Sequence, residues 1–350
     1  MQRTTQATLA RQPQTEGSTV ESAAMHLTVL LAGALLPAKL AGALAGSLNA
    51  PSLERRLSRA DATGITPGSG EHGGSVHIDW LARNLMNQSH PATAPYAFSN
   101  LSSAPPKSFV WHADPVHVEA ARDQLVVQAL DRDAVTADEA AQLVSLANQV
   151  LIPHNIELVP HGTRWFLLHD EDWTIETVPL VSALNWPVTM PVGPDAQTWN
   201  RLHNEIQMAW HRHEVNEQRE RVGQRTINAL WLYGGGRYQP LPALAFAQVH
   251  CSEPGWRGVA EAAGANGRSP DDAVANHALI VLDDLLMPKQ REDWTLWLQK
   301  LAAIDQRLAT YEGAALEVVL TGDIIKTFSS RPSDRYKFWR GRALSEALSE

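Results

Sequence analysis

The chain has 350 residues and a formal net charge of −9 at pH 7, with 44% apolar and 19% charged residues. Because a single hydrophobic core stops growing at roughly 250 to 300 residues, this length predicts one large core together with a smaller second unit. The composition is that of a globular protein, and the negative charge argues against a general nucleic-acid-binding protein, which needs a basic surface for phosphates.

The N-terminal region and the cysteine content bear on localisation. Residues 1–24 are rich in Gln, Thr and Ser without apolar periodicity, which predicts a disordered extension. The apolar segment that starts at Met25 could pass for a signal peptide, but it has no basic residues close before it, and Pro37 and Lys39 interrupt it. This favours a buried strand followed by a helix. The single cysteine, Cys251, excludes an internal disulfide, so we expect a cytoplasmic protein with no membrane association.

The hydrophobic pattern divides the rest of the chain into three segments. Residues 25–108 open with a buried strand and an amphipathic helix and continue into loops rich in Gly, Ser and Pro. Residues 109–190 alternate strands around one helix, whose start carries a capping box formed by Thr136 and Glu139. Residues 191–345 return to buried strands and long helices. We therefore predict an α/β protein in which the first and third segments form a layered core and an α+β domain is inserted between them.

Three short apolar runs of the third segment predict buried strands of the core sheet. One run ends in the glycines Gly234–Gly236, the second in Asp283 and Asp284, and the third at Asp323. In an open parallel α/β sheet, ligands bind beyond the carboxyl ends of the strands. We therefore expect these glycines and carboxylates to share one edge of the sheet.

A polar stretch, NEIQMAWHRHEVNEQR, concentrates groups that can bind ligands. On a helix His203 and His211 would lie roughly 12 Å apart along the axis, and His211 and His213 would point to different sides, which argues against a metal site formed by this stretch alone. The alternatives are a polar helix end that caps its own turn and a cluster that faces a ligand. In the second case we expect a pocket lined by Arg219, Asn216, His211, Asn204, His112, Asp114 and His117.

Several segments resemble a known bacterial family. They are WHADPVH (111–117), NEIQM (204–208) with HEVNEQRERVG (213–223), and NALWLYGGG (228–236). These segments resemble the RpfE-type regulatory proteins, a family sometimes labelled phosphoglycerate mutase, and the similarity extends from Met25 to the aromatic and basic RYKFWRGR tail. The resemblance implies a regulatory protein.

The order of elements also resembles a second group, the archaeal-type cofactor-independent phosphoglycerate mutases of the alkaline phosphatase superfamily. This similarity is carried by APSLERRL (50–57), by the Asn-x-x-Arg spacing of Asn216 and Arg219, and by VVLTGD (318–323). It implies an alkaline-phosphatase-like layered core sheet, two divalent cations such as manganese, and a phosphorylated serine. Ser69 lies about where that serine nucleophile is expected.

The chain departs from the metal ligands that the second resemblance implies. Where those enzymes carry carboxylates after the first strand, this chain has Ala32–Leu36, and the matching acids that remain are Asp283, Asp284 and Asp323. Three acids without a matched histidine are too few to hold two hard cations. We therefore predict no cofactor and a non-catalytic regulatory or ligand-binding protein, with a small phosphorylated molecule as its ligand. The alternative is a metal-dependent phosphomutase or phosphatase with a metal site rearranged around these acids.

Overall fold

The computed structural model describes residues 25–67, 75–121, 124–130, 135–162, 164–184, 191–337 and 339–350. The strands in these ranges are β1 (His26–Leu31), β2 (Asp61–Pro67), β3 (Phe109–Ala121), β4 (Gln124–Ala129), β5 (Ile156–His161), β6 (Arg164–His169), β7 (Ala229–Gly236), β8 (Gln248–His250), β9 (Asn266–Arg268), β10 (Ala278–Leu282), β11 (Ala315–Thr321) and β12 (Ile324–Ser330). The α-helices are α1 (Ala38–Leu44), α2 (Pro51–Arg59), α3 (Val76–Leu81), α4 (Ala94–Ser102), α5 (Ala137–Leu151), α6 (Leu180–Ala183), α7 (Ala196–His211), α8 (Glu214–Arg221), α9 (Pro254–Ala262), α10 (Leu286–Gln290), α11 (Trp294–Ala309) and α12 (Leu344–Ala347). The predicted extension at 1–24 and the candidate nucleophile Ser69 lie outside the described residues.

The first sheet has seven strands in the order β2-β12-β11-β1-β10-β8-β9. Strands β1, β8, β9, β10 and β11 run parallel, whereas β12 is antiparallel to β11, and β2 is antiparallel to β12. Helices α2 and α11 pack on one face of this sheet, and α3, α4 and α9 pack on the other. The central strands are continuous apolar runs because both of their faces are covered. The expected α/β class with a layered core sheet is confirmed.

The second sheet is antiparallel, in the order β4-β3-β6-β5, and β7 pairs with β3. Helix α5 begins with the predicted capping box, in which Thr136 accepts from the backbone of Glu139 and the Glu139 carboxylate accepts from the backbone of Thr136. Helix α7 buries the predicted stripe against this sheet and α5. That stripe consists of Trp199, Leu202, Ile206 and Trp210.

Strand β7 lies in the second sheet, which corrects its expected placement in the core. It pairs antiparallel to β3, with Val116 opposite Ala229 and Asp114 opposite Trp231. An apolar run that ends in glycines satisfies a buried strand of either sheet, so its pattern alone could not distinguish them. The second sheet requires glycine at position 235, because a Cβ atom on Gly235 would lie 2.2 Å from the Trp111 ring. Helix α7 and strand β7 therefore belong with the α+β unit.

The apolar segment after Met25 forms β1 and, after a turn, α1, as the interrupted pattern predicts. Among the described residues, no helix is both long enough and apolar enough to span a bilayer.

Candidate ligand-binding cleft

A cavity of about 860 Å³, called the cleft below, lies between the two sheets. The first sheet contributes Cys251 and Asp283, which directly follow the parallel strands β8 and β10. The second sheet contributes His112 and Asp114 from β3 and Tyr233 from β7. The carboxyl ends of parallel strands are where open α/β sheets bind ligands, and the volume suits a small organic molecule.

One polar network connects the two walls of the cleft. The Arg164 guanidinium forms ion pairs with Asp114, at 2.8 Å between Nη1 and Oδ2, and with Glu253, which lies one residue before α9. The Tyr233 hydroxyl donates to Asp114 Oδ2 at 2.8 Å. The charge of Glu253, followed by that of Asp114, raises the pKa of Arg164 well above its ordinary value against the opposing effect of burial. The network therefore holds a permanent cation between two carboxylates and joins the second sheet to the first.

His112 is buried beside this network. Its ring stacks on Tyr233 with the centroids 4.4 Å apart, and its Nε2 atom lies 3.3 Å from Thr93 Oγ1. Its Nδ1 atom is buried and has no hydrogen-bond partner among the described residues. Burial lowers the pKa of His112 to about 4, so the imidazole is neutral at pH 7. The same cause lowers the pKa of His77, which also lines the cleft, to about 4.

Asp283 is an acid of the inner part of the cleft for which no ion pair is found among the described residues. It accepts a hydrogen bond from Ser252 Oγ at 2.7 Å. Burial, together with the negative charges of Asp284 and Glu253, raises its pKa. Burial also raises the pKa of the neighbouring Cys251 thiol, which makes this cysteine a poor nucleophile.

The remaining wall of the cleft is apolar. It is formed by the chain segment that contains α6, through Val178, Leu180, Val181 and Leu184, together with Met287 from α10. Apolar walls with a few fixed polar groups are typical of small-molecule sites, in which the polar groups set the orientation of the ligand.

The structure does not bring the seven predicted ligand-binding residues together in one pocket. Arg219 does not line the cleft: it is 2% exposed, pairs with Glu139 at 3.0 Å, and donates to the Arg225 carbonyl at 2.6 Å. The Asn216 side chain bonds the backbone of Trp210 and Ile227 at 2.8 to 2.9 Å. The two side chains therefore hold α8 against α5, α7 and the segment that leads into β7, which agrees with the alternative of a polar helix end.

Of the other predicted ligand-binding residues, some line the cleft and the rest lie outside it. Asn204 and His211 are exposed on α7 and do not line the cleft, and His117 Nδ1 contacts the Thr226 carbonyl at 3.0 Å. Of the seven residues, His112 and Asp114 line the cleft. Helix α7 packs against the second sheet and α5, and its exposed side carries Asn204 and His211 away from the cleft.

The three candidate metal ligands are not brought together. Asp283 lines the cleft, Asp284 pairs with Lys300 at 3.3 Å, and Asp323 is exposed. Among the described residues, no group of three or more His, Cys, Asp and Glu side chains could hold a metal ion.

The edge of the sheet after β1 and β11 is occupied by a cationic side chain. Lys289 Nζ donates to the Leu35 carbonyl at 2.7 Å and to Glu350 Oε1 at 3.2 Å, and the same Glu350 oxygen accepts from the backbone of Asp323 at 2.9 Å. An ammonium group at this edge repels a divalent cation. In the described part of the chain, the residues at this edge therefore do not fit the pair of metals that the second resemblance implies.

Sequence reasoning missed Arg164 and Glu253, and it treated Tyr233 as one apolar residue of a strand. Arg164 opens the apolar run RWFLLH, where a basic residue is usually a solvated strand end. The one available signal was that neither Glu253 nor Arg164 belongs to a hydrophobic repeat, so neither charge is explained by the pattern of a helix or strand. Their pairing depends on how the two sheets face each other, which no local pattern encodes.

Comparisons with known proteins identify the fold and no family. No protein-family model matches the chain, and no curated protein matches it. The structure is similar to that of the PH0037 protein from Pyrococcus horikoshii, with a TM-score of 0.57 and 14% sequence identity over 93% of this chain and 92% of that chain. A cofactor-independent phosphoglycerate mutase from Thermoplasma acidophilum has a TM-score of 0.46 and 14% identity over 93% of this chain and 95% of that chain. The first similarity shows a shared fold, and the resemblance to RpfE-type regulatory proteins finds no support in these comparisons.

Proposed function

We propose that this protein is a non-catalytic, regulatory ligand-binding protein and that its small-molecule ligand occupies the cleft. The observation that carries the proposal is the preformed network of Asp114, Arg164, Tyr233 and Glu253, which is fixed between the two sheets before any ligand enters. Groups held in this way orient a ligand without the cost of ordering side chains on binding.

The chemistry of the residues favours binding over phosphoryl transfer. A phosphomutase needs an activated nucleophile and a group that neutralises the transferred phosphoryl. In the described part of the chain, Lys289 occupies the sheet edge where metals are implied, and burial keeps the Cys251 thiol protonated. The resemblance of the sequence to RpfE-type proteins agrees with a regulatory role and remains an expectation.

A substitution that fills the cleft tests the proposal. Thr177 lines the cleft and is half-buried, so Thr177→Trp is expected to occupy part of the ligand volume. Thr295 is exposed near the start of α11 and does not line the cleft, so Thr295→Trp is the matched control. Thermal melts of the three proteins are measured against a collection of small amines, carboxylates, alcohols and phosphorylated compounds.

At least one compound is expected to raise the Tm of the wild-type protein and of Thr295→Trp while leaving Thr177→Trp unchanged. Equal shifts in all three proteins, or no shift from any compound, would refute the cleft as the ligand site. Interconversion of 3-phosphoglycerate and 2-phosphoglycerate in the presence of manganese would refute the non-catalytic part and restore the phosphomutase alternative.

A further inference from the structure

Among the described residues that line the cleft, negative charges outnumber positive ones. Its inner part contains the buried or half-buried carboxylates of Asp114, Glu253 and Asp283 and one guanidinium, that of Arg164. Two other charged residues of the lining, Glu176 and Arg291, are exposed and opposite in sign. The imidazoles of His77 and His112 add no positive charge at neutral pH, because burial keeps each pKa near 4.

Among the described residues, the guanidinium of Arg164 already has two carboxylate partners. Arg164 donates to Asp114 and to Tyr233 through Nη1, and to Glu253 through Nη2. A phosphate bound to this guanidinium would lie close to the carboxylates of Asp114 and Glu253, and like charges repel strongly in a partly buried site. The charge distribution therefore disfavours the phosphorylated ligand that the sequence led us to expect.

The Asp283 carboxylate, in contrast, favours a positively charged ligand. The carboxylate is half-buried, it accepts a hydrogen bond from the neutral Ser252 hydroxyl, and the negative charges of Asp284 and Glu253 act on it. A partly desolvated carboxylate without a counter-charge is unfavourable, and an ammonium group beside it would offset that cost. On the opposite wall His112 keeps its buried Nδ1 atom without a partner among the described residues, so both walls contain a polar group with unmet bonding capacity.

We propose that the ligand of the cleft is an organic cation, an amine carried on an apolar body, and that the Asp283 carboxylate binds its ammonium group. The apolar body lies against Val178, Val181 and Leu184. This inference rests on the proposed function, because it assigns a chemical class to the ligand of the same cleft.

The test compares probes that differ in their head group alone. Binding of hexylamine, hexanol and hexyl phosphate to the wild-type protein is measured by isothermal titration calorimetry at one ionic strength. A charge-assisted hydrogen bond to Asp283 is expected to make hexylamine bind about tenfold more tightly than hexanol. Hexyl phosphate is expected to bind more weakly than hexanol.

Matched variants assign the difference to one carboxylate. Asp283→Asn is expected to remove the preference for hexylamine over hexanol, whereas Asp284→Asn, which neutralises the adjacent exposed acid, is expected to keep it. Melting curves of both variants confirm that they are folded. A preference for hexylamine that survives Asp283→Asn would overturn the proposal.

The outcomes also separate this inference from the function on which it rests. If hexyl phosphate binds most tightly and Thr177→Trp abolishes its binding, the cleft is a ligand site but not one for cations, so the inference fails alone. If Thr177→Trp leaves the binding of every probe unchanged, the cleft is not the site and both fail.

Discussion

Arg219 offers the sharpest test of how the structure changes the interpretation of the polar stretch. A ligand-binding role predicts that Arg219→Ala abolishes ligand binding and leaves stability nearly unchanged. The structure predicts the reverse, because this guanidinium is 2% exposed and its described partners are the Glu139 carboxylate and the Arg225 carbonyl, both within the second unit. The variant is therefore expected to unfold more easily and to bind ligands as the wild-type protein does.

The expected loss can be estimated from these contacts. Removing one partner of a buried ion pair costs roughly 3 to 5 kcal/mol, because the remaining charge stays buried and unpaired. Here Glu139 keeps 19% of its side-chain surface exposed and keeps its hydrogen bonds to Thr136, so part of its charge is still solvated. The Arg225 carbonyl loses its donor, which adds about 1 kcal/mol or more. We expect a decrease of about 3 kcal/mol in the free energy of unfolding.

Urea denaturation followed by circular dichroism measures this quantity, provided that the dependence on denaturant is the same in all variants. Arg221→Ala is the control, since Arg221 is on the same helix and is exposed, and a surface substitution of this kind costs within about 0.5 kcal/mol. A loss of less than about 1 kcal/mol for Arg219→Ala would show that the buried pair contributes little. If that small loss came with a loss of ligand-induced stabilisation, the ligand-binding interpretation would be correct.

Two further predictions concern stability. His77, His112 and His203 each have a pKa lowered to about 4 by burial, so between pH 6.5 and 4 the unfolded chain binds protons that the folded chain does not. The free energy of unfolding is therefore expected to fall as the pH decreases from 7 to 5, by up to about 1.4 kcal/mol per pH unit for each histidine. A free energy of unfolding that does not change over this pH range would contradict the burial of neutral imidazoles. Gly235→Ala is expected to destabilise the protein by about 2 kcal/mol, because the added Cβ atom would overlap the buried Trp111 ring. Gly313→Ala is the control, since a Cβ atom there meets nothing within 4 Å. Equal urea midpoints of unfolding for the two variants would refute the predicted overlap.

Much of the fold could be read from local patterns. The apolar runs of β1 and β10, the stripe of α7 and the capping box of α5 all appear where hydrophobic periodicity and capping chemistry predict them. These features are local, because a helix or strand must present a fixed face to any core. The assignment of β7 to a sheet was not local, since the same apolar run could pair with either set of strands.

Less of the candidate site could be predicted. Of the residues expected to bind a ligand, His112 and Asp114 line the cleft because they lie on the face of β3 that is turned towards the first sheet. Arg219 and Asn216 were chosen from spacing and chemistry, and the same chemistry suits them equally to hold one helix against its neighbouring segments. A guanidinium or an amide does not reveal from sequence whether its partner is a ligand or a backbone carbonyl.

The sequence by itself determined the class of the fold: an α/β chain of 350 residues whose continuous apolar runs form the central strands of a layered core sheet. Only the tertiary structure decided which polar groups face the cleft. Arg164 is on β6, Glu253 directly precedes α9 and Asp283 directly follows β10, and all three line the cleft between the two sheets. Contacts between residues so distant in sequence depend on the packing of whole units, so no local pattern of side chains specifies them.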